Sequence, residues 1–121
     1  MAKSGENGWL GELCAQLLLK SDGYAIVDRN FRSRLQQGEI DIIAVQKDVL
    51  VFVEVKVRKN GRYGAPDEFV DERKQKCLCK TAQEYIETRA TKQRFYRFDV
   101  IAIDCAKREV RWLQNAFGVS R

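Results

Sequence analysis

An α/β fold is predicted: a mixed central β-sheet flanked by helices, in the order α-β-β-β-α-β-β. Three observations lead there. Val49 to Arg58 alternates so strongly that Val49, Val51, Val53, Val55 and Val57 form one uninterrupted apolar face. Two other stretches repeat apolar residues every three or four positions, the spacing of a helix. One long helical stretch also interrupts what is otherwise a succession of strands, as in a mixed sheet with helices packed on it. The chain has 121 residues and no linker long enough to separate a pair of domains, so one domain spanning 1–121 is expected, with its core at about 8–117.

Trp9 to Lys20 reads as an amphipathic helix with an apolar stripe of Leu10, Leu13, Cys14, Leu17 and Leu18; Gly23 follows as a stop. Tyr24 to Phe31 reads as a strand, Arg32 to Gly38 as a turn and Glu39 to Val45 as a second strand. Gln46-Lys47-Asp48 connects it tightly to Val49–Arg58. On the second face of that third strand Leu50 and Phe52 give way to Glu54, Lys56 and Arg58. A strand apolar on both faces for half its length belongs in the middle of a sheet, and its charged end should open onto a cleft. Asn60 to Pro66 is glycine-rich and reads as a loop. A helix follows from about Asp67 to Ala90, with Cys77, Leu78, Thr81, Ala82, Tyr85 and Ile86 as its stripe and Lys74 one turn earlier on that side. Arg97 to Asp104 and Glu109 to Leu113 complete the strands.

Composition narrows the chemistry. Lys and Arg total 22 and Asp and Glu 17, a net charge of +5, and there is no histidine. That excludes a Ser-His-Asp triad, a His/Cys zinc site and an imidazole base. Cys14, Cys77, Cys79 and Cys105 lack zinc-knuckle spacing and read as small buried or half-buried hydrophobes in a reducing compartment. The longest apolar run, Val49 to Val53, is far too short to span a bilayer, and the start lacks the apolar segment of a secretory signal; a cytoplasmic location is expected. Basic residues cluster at Arg29, Arg32 and Arg34, at Lys56, Arg58, Lys59 and Arg62, and at Arg89, Lys92, Arg94 and Arg97. Such clusters suit phosphate backbones and equally suit the solvated surface of a small basic protein.

One constellation could carry chemistry. Asp41 opens the second strand, and Glu54 and Lys56 share a face of the third. If the turn is centred between Lys47 and Asp48, position 41 faces 54; if it is centred on Lys47, position 41 faces 53. Both registers are open from sequence. Two neighbouring carboxylates repel unless a cation sits between them, and Mg²⁺ typically takes one or two carboxylates, waters and substrate phosphates. The Val55 carbonyl would be a further ligand. Lys56 would then stand within reach of an attacking water or a scissile phosphate. The plain alternative is that these charges form the wet face of an edge strand. Asp99, on a core-like strand, is open to two readings, the structural partner of an arginine, which is preferred, or a catalytic group.

Gly38-Glu-Ile-Asp41, Phe52-Val-Glu-Val-Lys56 with Arg58, Lys74 and Arg97-Phe-Asp-Val100 together resemble the small bacterial YraN-like family. Gly8-x-x-Gly11-Glu12-x-x-Ala15 and Arg29-Asn30 fit it too, so the likeness covers about residues 8–117. That family is similar in turn to archaeal Holliday junction resolvases and to restriction-endonuclease-like nucleases. The resemblance implies a Mg²⁺-dependent (or Mn²⁺-dependent) phosphodiesterase acting on branched or structured DNA. It makes Asp41 and Glu54 the metal acids, Lys56 the catalytic lysine and Glu12 a further metal acid. Lys74 becomes a basic position supporting the site or touching phosphate, and Gly38 a tight turn before Asp41. Arg29, Arg32, Arg34, Arg58, Lys59 and Arg62 are candidate phosphate contacts, with loop 59–66 free to close over a strand. A homodimer presenting two sites is implied as well. The rival from another class is a non-catalytic nucleic-acid-binding or assembly protein that keeps the fold.

Overall fold

In the computed structural model, residues 6–35, 38–59, 70–89 and 91–117 are described. The elements are α1 (Glu6–Ser21), β1 (Ala25–Arg32), β2 (Glu39–Gln46), β3 (Val49–Arg58), α2 (Glu72–Arg89), β4 (Phe95–Asp104) and β5 (Glu109–Phe117). The strands form one five-stranded sheet in the order β1-β2-β3-β4-β5, so the valine-rich strand is central. β3 and β4 run parallel and every other neighbouring pair runs antiparallel. A parallel neighbour needs a crossover, and α2 supplies it. This is the mixed α/β sheet with two helices and the topology of restriction-endonuclease-like proteins.

The two faces of β3 seed two cores. Val51, Val53 and Val55 pack with Ala15, Leu19, Tyr24 and Ile101 under α1. Leu50 and Phe52 pack with Phe31, Leu78, Ala82, Tyr85 and Phe98 under α2. Where β4 returns, Asp48 of the hairpin turn takes the Arg94 amide and guanidinium, and its carbonyl takes the Phe95 amide, which starts the parallel pair at Val49 and Phe95.

Helix ends follow local chemistry. After α1, Gly23 sits at φ 88°, its amide bonds the Lys20 carbonyl and the Tyr24 amide bonds the Leu19 carbonyl. That paired closure with a left-handed glycine is the Schellman stop, and Leu19 and Tyr24 are both buried beside it. α2 begins at Glu72, later than the Asp67 expected, because Asp71 caps it: the Lys74 amide donates to Asp71 Oδ1 at 2.8 Å. β1 is shifted by one residue, β4 starts two residues early at Phe95, and β5 runs on to Phe117.

α1 is rotated from the orientation its leucine pattern predicts. Its inner face is Gly11, Ala15 and Leu19, whereas Leu10, Leu13, Cys14 and Leu17 face solvent. The cause is close approach: a Cβ at Gly11 would lie 2.3 Å from Val57 Cγ2. Small residues at 11 and 15 let the helix sit low on the sheet, and that closeness outweighs the larger stripe. The reading of the cysteines changes with it, since Cys14 and Cys105 are exposed and only Cys77 and Cys79 are half-buried; all four are free thiols.

Candidate active site

β2 and β3 bring the acids together by a break in their own ladder. The pairing runs Gln46↔Val49 through Ile42↔Val53, which places Asp41 opposite Glu54, the register of a turn centred between Lys47 and Asp48. Beyond Ile42 the ladder stops. The next β3 amide aimed at β2 is that of Val55, which continued pairing would give to the Ile40 carbonyl. It donates instead to Asp41 Oδ2, at 2.8 Å. Ile40 has left the alternation of its strand and joins the core under α2, whereas Ile42 packs under α1. The disturbance extends to β1: pairs form at Arg29↔Ile42 and Phe31↔Ile40, and between them Asn30, opposite Asp41, has φ 52°.

Asp41 and Glu54 are each only 4 % exposed. Glu54 Oε2 accepts from Lys74 Nζ at 2.6 Å and lies 3.3 Å from Lys56 Nζ. A lone buried carboxylate is costly, so two ammonium groups on one oxygen explain how Glu54 remains inside. The Lys74 pKa feels opposing influences: burial lowers it, and the Glu54 carboxylate, helped by Lys56 and the Asp41 charge, raises it more. Lys74 thus stays protonated past the ordinary lysine range. Asp41, Glu54, Lys56 and Lys74 form one cluster on the α2 side of the sheet.

The oxygen donors fit a hard divalent cation. Asp41 and Glu54 supply two carboxylates, and the Val55 carbonyl points to the same side as its amide, toward β2. Glu12 is placed differently. It is half-buried on α1, and with the Asn30 amide turned to face the acids, Asn30 donates to Glu12 Oε1 at 3.2 Å and to Glu39 Oε2 at 3.3 Å. Among the described residues no group of three or more Asp, Glu, His or Cys is close enough to hold a metal ion, so Asp41, Glu54 and Glu12 do not form a three-acid cluster here.

Gly38 acts through packing rather than through a turn. Its φ lies outside the left-handed region, and a Cβ there would lie 3.3 Å from Thr81 Oγ1 and 3.8 Å from Cys77 Cβ, so it lets the chain pass close under α2. Asp99 is structural. It accepts Arg97 Nε and Nη2, Trp112 Nε1 and the Asn115 amide, each at 2.9 Å, at the shift in the β4/β5 register. Arg97 is pulled down by burial and lifted further by Asp99 and Tyr24, so it stays charged.

The arginines divide. Arg29, Arg32 and Arg34 line a groove of about 440 Å³ between β1 and the end of α2, with Asn30, Glu84 and Arg89. Arg89, which its place in a distant charge cluster did not connect to these three, lies over the Phe31 and Tyr85 rings at 5.4 and 5.6 Å. Glu84 closes the groove by accepting from the Ser33 hydroxyl and the Arg34 amide. Arg58 is half-buried and Lys59 exposed at the far end of β3; Arg62 and loop 60–66 lie outside the described residues.

Residues 11–103 match the family described as Uncharacterised protein family UPF0102. The chain belongs to the UPF0102 family. A UPF0102 protein of Clostridium botulinum (strain Loch Maree / Type A3) is 44% identical over 117 residues, covering 93% of this chain and 94% of the relative. A UPF0102 protein of Alkaliphilus oremlandii is 40% identical over 114 residues, covering 91% and 96%. The UPF0102 match takes in Glu12, Asp41, Glu54, Lys56 and Lys74 and, with the sheet topology, places the chain in a nuclease-like superfamily. Among its described residues no helix is long and apolar enough to cross a membrane.

Proposed function

We propose that this UPF0102 protein is a divalent-metal-dependent endonuclease that hydrolyses phosphodiester bonds in branched or structured DNA, as the likeness to Holliday junction resolvases implies. The observation that carries the reading is the buried Asp41–Glu54 pair with Lys56 and Lys74 converging on one Glu54 oxygen.

Asp41, Glu54 and the Val55 carbonyl would hold Mg²⁺ or Mn²⁺, with Glu12 a ligand only after it leaves Asn30. The ion, when bound, supplies Lewis-acid activation of water and neutralises phosphate charge. Charge balance favours a phosphate substrate. Two carboxylates already face two ammonium groups, so a divalent ion leaves the cluster at +2. The single negative charge of a phosphodiester offsets half of that, and the more negative transition state of its hydrolysis offsets the rest. Lys56, held by Glu54, is placed to stabilise the negative charge that develops on the phosphate oxygens. Lys74 offsets the charge of the Glu54 carboxylate and orients it. Arg29, Arg32, Arg34 and Arg89 along their groove, with Arg58, Lys59 and Arg62, would grip phosphates and so position the backbone without reading sequence.

The arginine groove also favours a second reading, in which the protein binds nucleic acid without cutting it. A cleavage screen over junction, flap, linear and single-stranded DNA with Mg²⁺ or Mn²⁺ separates the two. The proposed activity requires metal-dependent cutting by wild type that Lys56→Ala abolishes while DNA binding persists. Equal cutting by K56A refutes the mechanism, and salt-sensitive binding with no cutting selects the second reading.

A further inference from the structure

Among the described residues, α1 carries more of the exposed large apolar side chains than any other element. Trp9 is 63 % exposed, Leu10 48 %, Leu13 40 % and Leu17 59 %, and Cys14 is exposed among them. Trp9, Leu13 and Leu17 follow one another at intervals of four, which makes them a single ridge along the helix. Between Gly8 and Leu19 the only charged residue is Glu12, and it is turned to Asn30 at the edge of the sheet. At about 150–250 Å² for a large side chain, these exposures amount to roughly 400 Å², near the largest patch a soluble monomer ordinarily shows.

We infer that a second copy of this chain covers this face, α1 against α1, antiparallel about a two-fold axis at Leu13. The spacing is symmetric about that residue: Trp9 lies four positions before it and Leu17 four after. A two-fold there sets each tryptophan against the other helix's Leu17 and closes the ridge on itself. Self-complementarity is what an isologous dimer requires, and a ridge of i±4 residues packs into its own kind. With no charge on the ridge, no like charges meet, and the antiparallel helix dipoles oppose each other favourably. The patch supplies about half of the roughly 800 Å² per partner of a standard interface. That predicts a dimer that dissociates on dilution, not an obligate one. It lies across the sheet from Glu54 and Lys74, which pack toward α2, so both copies keep that cluster open.

Light scattering on the full chain tests this, with circular dichroism to check folding. Wild type is expected at twice 14.0 kDa at high micromolar concentration and at 14.0 kDa on dilution. Leu13→Glu, which sets two carboxylates face to face on the axis, is expected to be folded and monomeric throughout. Leu17→Gln, a milder change, should weaken the dimer by about tenfold or more. In a Cys105→Ser background a short bis-maleimide should join two chains through Cys14 and fail after Cys14→Ser. A wild-type monomer at high concentration, including one that instead binds lipid vesicles, overturns the inference. So does a dimer that ignores Leu13→Glu and cannot be joined through Cys14.

Discussion

Asp41 Oδ2 accepts the Val55 amide at 2.8 Å, standing where a backbone carbonyl would otherwise close the β2/β3 ladder. Under the proposed function the carboxylate has two separable duties, one in the sheet and one toward a cation. Asp41→Ala leaves a buried amide unsatisfied and should cost about 1–3 kcal/mol. Asp41→Asn keeps an acceptor and should cost less, while either change should remove the proposed activity. Urea unfolding of both variants beside wild type checks the split.

Glu54 governs the charge of its lysine neighbour. With the carboxylate neutralised as Glu54→Gln, burial is left as the leading influence on Lys74, and its pKa should fall below that of wild type. NMR titration of the Lys74 ammonium measures this. In wild type the raised pKa works the other way: the stability it contributes is complete below the unfolded-state value near 10.5 and fades only as pH climbs through the higher folded value.

Glu84 fastens the start of the β1–β2 connection to α2, and its pKa is held below the usual carboxylate range, first by the Arg34 amide and then by the Ser33 hydroxyl. A depressed acid stabilises above its unfolded value, near 4.5, and loses that contribution as pH falls through the folded value. Glu84→Gln should therefore lower the melting temperature at pH 7 and converge with wild type in strong acid. A parallel pair of melting curves across pH 2–7 is the check.

Asp99 satisfies a guanidinium, an indole and a backbone amide at once. Asp99→Ala strands Arg97, whose side chain is largely buried, and should destabilise by about 3–5 kcal/mol. A loss under 1 kcal/mol in urea unfolding would mean the network is ornamental.

Gly11→Ala drives a methyl into Val57 and should cost about 1–3 kcal/mol. Val57→Ala should recover some of that loss in the double variant, a coupling that a double-mutant cycle reads directly.

Most of the sheet was legible because β3 carries its own position. Apolar on both faces and then charged on one, Val49–Arg58 had to be central, and its charged end marks where α2 leaves room for Glu54 and Lys56. Pairing Asp41 with Glu54 needed the turn register, which the Lys47–Asp48 loop alone leaves open and the ladder resolves. The orientation of α1 was not legible from hydrophobicity, because Gly11 and Ala15 win the inner face by smallness, not by apolar area. Glu12 was named as a metal acid only through the resemblance, and its turn toward Asn30 was not legible for a related reason: it depends on that rotation and on the left-handed backbone of Asn30. Arg89 joins the groove across a separation in sequence that only the packing of α2 on β1 closes.

The central claim is that Asp41 and Glu54 hold a divalent cation, and calorimetric titration of Mn²⁺ tests it most directly. Asp41→Asn is the right comparison because it preserves an acceptor for the Val55 amide and hence the local fold. Saturable binding to wild type that Asp41→Asn and Glu54→Gln each abolish is the predicted result. No binding to wild type, or equal binding to Asp41→Asn, would contradict the account.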